Sequence, residues 1–135
     1  MASVLKVDEM QGVTSAGDIT ITSEGGAATM SLQQGLAKAW GHFDPSADNT
    51  IDDSLNLASL TDDGAGDYRF NFSSNMANAD FAASGSAQRT SIWGIDTSGG
   101  RQGYNTGALE FYVTNSSASA WDVLDVTATI HGDLA

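Results

Sequence analysis

A chain of 135 residues is long enough to form one domain with its own hydrophobic core. It contains no cysteine, which excludes disulfides, thiolate metal sites and cysteine nucleophiles. Its 17 acidic residues against 5 lysines and arginines give a net charge of −12, which disfavours binding to nucleic acid or to an anionic membrane surface.

Apolar and polar residues alternate with a period of two along much of the chain, which predicts strands with one solvated face. The first run places Leu5 and Val7 on one side, and residues 18–22 alternate in the same way. Large apolar side chains are otherwise sparse in residues 1–34, which cannot bury enough surface to offset their ordering entropy. This segment is either flexible or paired with another copy, and we expect an attachment or oligomerisation arm.

The segment after the arm is ambiguous between helix and strand. Ser31 and Gln34 fit a helix-capping pattern, whereas Gly35 costs about 1 kcal/mol in a helix interior. From Leu36 onward we predict a strand, and we assign residues 35–135 to a β-sandwich domain.

Three later runs alternate most regularly and predict core strands. Their expected inward-facing residues are Tyr68, Phe70 and Phe72, then Leu109, Phe111 and Val113, and finally Leu124, Val126, Ala128 and Ile130. Packing between strands is also the expected role of Trp40, Trp93 and Trp121. Clusters of Gly, Asn, Asp and Ser separate the runs, so we predict an all-β fold, an antiparallel β-sandwich or jelly-roll-like domain.

The sequence TDDGAGDYRFNF at residues 61–72 groups three carboxylates around two glycines. A calcium loop needs an oxygen ligand at every second position, but Gly64 follows Asp62 at that spacing and Ala65 follows Asp63. Asp and Gly tolerate the backbone conformations of a tight reversal. We therefore predict a hairpin turn between two strands.

No motif in the chain predicts catalysis. A second acidic cluster consists of Asp44, Asp48, Asp52 and Asp53. These carboxylates could gather a hard cation such as Ca²⁺, although such runs are more often solvated loops. His42 and His131 stand in no metal-binding spacing, and no nucleophile elbow, phosphate loop or dinucleotide-binding motif is present. We predict no catalytic residue, no metal and no cofactor.

Three stretches carry a family resemblance: LKVDEMQG near the start, GLAKAWGHFD at 35–44, and the run at 51–87. Together they resemble small bacteriophage virion proteins of the tail-fibre or phage structural type. The matching residues are Lys38, Ala39, Trp40, Asp53, Ser54, Asn56, Ser59, Thr61, Asp62, Gly64, Gly66, Asp67, Tyr68, Asn71, Phe72, Asn78, Ala79 and Phe81. Gly41-His42 replaces the more usual Val-Asn, Asp52 stands where a basic residue is common, and the chain after about residue 88 carries no resemblance.

The resemblance implies a non-enzymatic, β-rich part of a virion surface, assembled as a homotrimer and in contact with other capsid or tail proteins. It leaves open a short fibre or spike and a capsid-decoration protein. The start of the sequence lacks the pattern of a secretion signal, and no run approaches the ~18 apolar residues of a membrane span. We expect synthesis in the host cytoplasm, assembly into the virion, no membrane insertion and no nucleic-acid partner.

Two other functions stay open. A carbohydrate-binding β-sandwich, acting as an adhesin for host surface glycans, would stack Trp93, Tyr104 or Tyr112 on sugar rings beside Arg101 in the loop at 96–107. A glycoside hydrolase or depolymerase would need a pair of carboxylates, and 17 acids always offer some pair.

Overall fold

The computed structural model describes residues 4–13, 19–23, 25–46, 50–88, 91–97 and 102–135. This part of the chain contains eleven strands and one helical turn, and it divides into two compact units, Met1–Leu36 and Ala37–Ala135. No helix in the described ranges is long and apolar enough to cross a lipid bilayer.

The first unit contains a two-stranded antiparallel hairpin followed by a helical turn. Its elements are β1 (Thr20–Thr22), β2 (Thr29–Ser31) and α1 (Leu32–Gly35). Ser31 stands at the N-cap position of α1, but its hydroxyl makes no capping hydrogen bond to the described helix. The ambiguous segment thus contains one helical turn before the chain continues as β-structure.

The strand predicted for the first alternating run is wrong. Residues 4–13, all of them described, have no regular secondary structure, and the side chains of Leu5 and Val7 are exposed. A strand needs partners for its backbone N–H and C=O groups, and alternation alone does not supply them.

The second unit is an antiparallel β-sandwich, which confirms the predicted fold class. The first sheet consists, in spatial order, of β4 (Ile51–Leu55), β3 (Ala39–Phe43), β11 (Val126–His131) and β7 (Ala82–Ala87). The second sheet consists of β5 (Leu57–Gly64), β6 (Asp67–Phe72), β10 (Ala108–Thr114) and β8 (Ile92–Ile95), with β9 (Tyr104–Asn105) paired to β10.

The core between the two sheets is rich in aromatic rings. The ring of Phe43, on the first sheet, lies 5.0 Å from that of Tyr68, 5.7 Å from that of Phe70 and 6.1 Å from that of Phe111 on the second sheet. All three contacts are edge-on, which aromatic quadrupoles favour. The inward-facing rows predicted for β6 and β10 are confirmed by the burial of Tyr68, Phe70, Phe72, Leu109, Phe111 and Val113.

Two predicted strands begin later than their patterns indicate. β3 starts at Ala39, not at Leu36. β11 starts at Val126, so Leu124 lies outside it and is exposed, while Val123 is buried in the core. The chain before β11 is held by contacts with the β5–β6 hairpin, which period-two alternation does not reveal.

Asn56 forms the corner where the chain passes from the first sheet to the second. Its φ of +57° lies in the left-handed region, which asparagine tolerates better than most residues. Its side-chain amide donates to the carbonyl of Ser74 at 3.0 Å, and its Oδ1 accepts from the N–H of Ser74 at 2.7 Å. These bonds tie the sheet-switching bend to the loop after β6.

Candidate functional site

The acidic sequence at 61–72 forms a hairpin, as predicted. β5 ends at Gly64 and β6 begins at Asp67. Asp62 Oδ1 accepts a hydrogen bond from the N–H of Gly64 at 2.9 Å, whereas Asp63 Oδ2 lies 3.1 Å from Arg69 Nη2. The neighbouring carboxylates therefore serve different partners.

The second acidic cluster is also divided among separate partners. Asp44 Oδ1 accepts two hydrogen bonds from a serine two residues on, and Asp53 Oδ1 accepts from the N–H of the next residue. Asp52 Oδ2 lies 3.4 Å from His42 Nδ1. Asp48 lies outside the described residues. Among the residues that the structure describes, no group of three or more His, Asp or Glu side chains is placed to hold a metal ion.

The two histidines lie apart on β3 and β11. His42 Nε2 is 3.2 Å from Asp125 Oδ1, so its ring contacts one carboxylate at each nitrogen. Both carboxylates are about half exposed, and such pairs contribute little to stability. In the register of the sheet His42 pairs with Thr127, four residues before His131.

Two of the residues predicted to contact a glycan belong to the core face of the second sheet. Trp93 pairs in register with Val113, and its ring stacks on that of Phe111 at 5.9 Å. The ring of Tyr104 packs edge-on against that of Phe81 at 5.1 Å. The rings of Trp93 and Tyr104 therefore both pack against other aromatic rings inside the sandwich.

The other two predicted glycan contacts lie elsewhere. Tyr112 pairs with Gly94 and lies on the outer face of the same sheet, where it is partly exposed. Arg101 lies outside the described residues. Glycan contact stays a prediction for these residues, and the outward position of Tyr112 favours it over Trp93 and Tyr104.

Glu110, which the alternation predicts to face water, is buried on the outer face of the second sheet. Its Oε2 accepts hydrogen bonds from the N–H groups of Gln102 at 3.0 Å and Gly103 at 3.3 Å. Its Oε1 lies 3.1 Å from Arg69 Nε, an ion-pair distance without hydrogen-bond geometry. A buried carboxylate needs such partners, and they hold the backbone before β9 over the sheet.

A pocket lies at the end of the sandwich where Ser46, after β3, and Gln88, after β7, meet residues 121–124 before β11. Its volume is about 250 Å³, and its lining residues are Ser46, Gln88, Trp121, Asp122, Val123 and Leu124. Trp121 is 38% exposed and Leu124 is 44% exposed, whereas Val123 is buried. Trp121 is thus not packed between strands as predicted, and its ring is available at the pocket.

Asp122 is held in place by the tip of the β5–β6 hairpin. Its Oδ1 accepts a hydrogen bond from the N–H of Gly66 at 2.8 Å and another from the hydroxyl of Tyr68. Gly66 has a φ of +71°, and a Cβ there would collide with the carbonyl oxygen of Val113 and lie 2.8 Å from the nitrogen of Trp121. Only glycine lets the hairpin approach the pocket wall this closely.

Burial raises the pKa of Tyr68 above its ordinary value, and the hydrogen bond to Asp122 and the charge of that carboxylate raise it further. The Tyr68 hydroxyl is therefore a permanent donor at neutral pH. Sequence reasoning missed this pair because its members are 54 residues apart and neither lies in a motif that predicts the other.

The chain matches no known protein family, no characterised protein and no solved structure. The likeness to phage virion proteins therefore rests on motifs alone. In the structure, several of the residues that carry this likeness hold strands or sheets together. Asn71 Nδ2 donates to the hydroxyls of Ser59 at 3.0 Å and Thr61 at 2.9 Å across β5 and β6, and Asn56 forms the corner between the sheets.

Proposed function

We propose that this chain is a non-enzymatic structural protein of a bacteriophage virion surface and that it assembles as a homo-oligomer through its first unit. A short fibre or spike and a capsid-decoration protein both fit this proposal. The motif resemblance supports the virion assignment. The observation that carries the assembly is the exposure of apolar side chains in Met1–Leu36.

Among the described residues, eight of the thirteen exposed large apolar side chains lie in the first unit, which makes up 36 of 135 residues. These eight are Val4, Leu5, Val7, Met10, Val13, Ile21, Met30 and Leu36. Leu5 is 79% exposed and Val4 is 74% exposed. Exposed apolar side chains that concentrate in one part of a chain support an interaction surface there.

The secondary structure of the first unit is too small to be stable by itself. β1 and β2 have three residues each, and an isolated two-stranded hairpin is marginally stable in water. No residue of α1 is buried. Contacts with a partner would supply the burial that this unit lacks.

A second copy of the chain is the partner that fits best. The first unit contains an open groove of about 370 Å³ whose walls include Val7, Met10, Ile19, Leu32 and Leu36. The same unit carries the exposed Val4 and Leu5. Because one chain carries both the groove and these apolar side chains, each copy can insert its side chains into the groove of the next copy around a rotation axis.

Size-exclusion chromatography with light scattering tests the assembly on the full chain. We expect a multiple of the 14.0 kDa monomer mass, threefold for a trimer. The double variant Leu5→Asp/Val7→Asp should dissociate, because two carboxylates would enter the apolar contact. Ile92→Asp, a matched change at a 56% exposed residue of β8, should leave the oligomer intact. A wild-type monomer, or dissociation by Ile92→Asp alone, would contradict assembly through the first unit.

A density map of the intact particle tests the virion assignment. A few copies on the tail would identify a fibre or spike, and hundreds on the shell would identify a decoration protein. A particle that lacks the chain would contradict the assignment itself.

A further inference from the structure

We infer that the pocket at the loop end of the sandwich, lined by Trp121 and Asp122, binds one ring of a neutral sugar. This adds a binding function to the proposed structural one and does not depend on the oligomeric state. The inference rests on the pocket's apolar surface, its polar groups, its size and its charge.

The apolar surface of the pocket matches the C–H face of a sugar ring. Trp121 offers a large flat aromatic surface and is 38% exposed, although bulky aromatics in a monomer usually gain more by burial. Leu124, 44% exposed, forms a second apolar wall, and the buried Val123 lies between them in sequence. A ligand that covers Trp121 and Leu124 would remove this apolar surface from water.

The polar groups of the pocket match the hydroxyl edge of the same ring. Both hydrogen bonds that fix Asp122 fall on Oδ1, which leaves Oδ2 as an acceptor for a ligand hydroxyl. The Ser46 hydroxyl donates to Asp44 at 2.8 Å and can still accept a hydrogen bond. Gln88 adds an amide, which can both donate and accept. An apolar wall with a few polar groups is the usual composition of a small-molecule site.

The size of the pocket selects a single ring. Its volume of about 250 Å³ is slightly below the roughly 300–1,000 Å³ of sites for drug-sized ligands. A longer glycan would therefore insert one residue and extend into solvent.

Charge selects a neutral sugar. The Asp122 carboxylate and the net charge of −12 repel sialic and uronic acids. The bonds from Gly66 and Tyr68 fix Asp122 before a ligand arrives, which lowers the entropic cost of binding.

An array of neutral and acidic oligosaccharides, probed with the labelled full-length chain, tests the inference. We expect binding to neutral glycans. Calorimetry with a bound glycan should show that Trp121→Ala weakens affinity about tenfold or more, as removal of a central aromatic contact does. Leu124→Asp should weaken binding too. Since Leu124 is already exposed, this second variant is informative even if Trp121→Ala folds poorly.

The matched control is Leu55→Asp, the same change at a leucine of β4 that is 46% exposed and does not line the pocket. It should bind as the wild type does. Three results would overturn the inference: no binding to any neutral glycan, stronger binding to acidic glycans, or binding lost with Leu55→Asp but retained with Trp121→Ala and Leu124→Asp. None of them bears on assembly through the first unit.

Discussion

The hydrogen bond from Tyr68 to Asp122 joins β6 to the segment before β11. These two parts of the chain are far apart in sequence but adjacent at the pocket. The phenol lies in the core beside Phe43, while its hydroxyl reaches a carboxylate at the rim. Gly66, two residues before Tyr68, supplies the second hydrogen bond to that carboxylate. These residues attach the irregular segment before β11 to the hairpin tip, and we expect the stability of the pocket to depend on them.

The Tyr68→Phe variant should lose about 1.5–3 kcal/mol of unfolding free energy at neutral pH, the usual contribution of a hydrogen bond to a charged group. It should also change the response to alkali. The pKa of Tyr68 is raised in the folded chain, whereas the unfolded chain titrates near about 10, so the folded state holds this proton more tightly. The stabilisation is complete below about pH 10 and is lost as the pH rises above it.

Urea unfolding measured from about pH 8 to 11 should therefore show a steeper decline for the wild type than for Tyr68→Phe. Phe111→Leu, a core variant that changes no titratable group, should be less stable than the wild type by a similar amount at every pH. Parallel declines for the wild type and Tyr68→Phe would contradict a raised pKa of Tyr68, and with it the burial of the phenol and its hydrogen bond to Asp122.

At the scale of elements, glycine and asparagine decide how the two sheets approach each other. A Cβ at Gly41, on β3, would lie 2.5 Å from Leu57 Cδ1 and 2.8 Å from Phe70 Cζ. The second sheet therefore packs directly onto the backbone of β3. Asn56, with its positive φ, turns the chain from β4 in the first sheet to β5 in the second. Packing between the sheets thus accounts for a glycine at this position.

Replacing Gly41 by valine, the residue that is more usual in the resembling proteins, should destabilise the chain by about 1–3 kcal/mol through overpacking. Gly94→Val is the matched control, because no described atom lies within 4 Å of a Cβ at that position of β8. The thermal unfolding midpoint of Gly41→Val should be clearly lower than that of Gly94→Val. Equal midpoints would mean that the sheets move apart without cost at Gly41.

At the scale of the whole molecule, an excess of negative charge opposes compactness. The chain carries 17 acidic residues against 5 lysines and arginines, and like charges repel more strongly in a folded chain than in an expanded one. The carboxylates of Asp44, Asp52 and Asp53 each have a separate partner, so we expect salt to act on them by screening and not by binding at one point.

Raising NaCl from about 20 to 500 mM should raise the thermal unfolding midpoint, because the distance over which charges interact falls from tens of ångströms to a few. CaCl₂ at matched ionic strength should give the same midpoint. A further increase with calcium alone would reveal a cation site in the acidic cluster. A midpoint that is constant or falls with NaCl would contradict charge repulsion as a destabilising force.

Sequence alone determined the features that arise from neighbouring residues. Period-two alternation predicts which side chains of β6 and β10 face the core, and Asp and Gly at 61–66 predict the turn between β5 and β6. Both are correct because a strand's two faces and a tight turn are set within a few residues. The same rule is wrong for Leu5 and Val7, since residues 4–13 pair with no strand in the part of the chain that the structure describes.

Only the tertiary structure decided the features that join distant positions. Glu110 is buried because Arg69 and the backbone of Gln102 meet it, although the alternation places it in water. The pocket at Trp121 exists because a hairpin tip more than fifty residues earlier holds Asp122 beside it. Such contacts depend on how two sheets are placed against each other, and no local pattern of residue types encodes that placement.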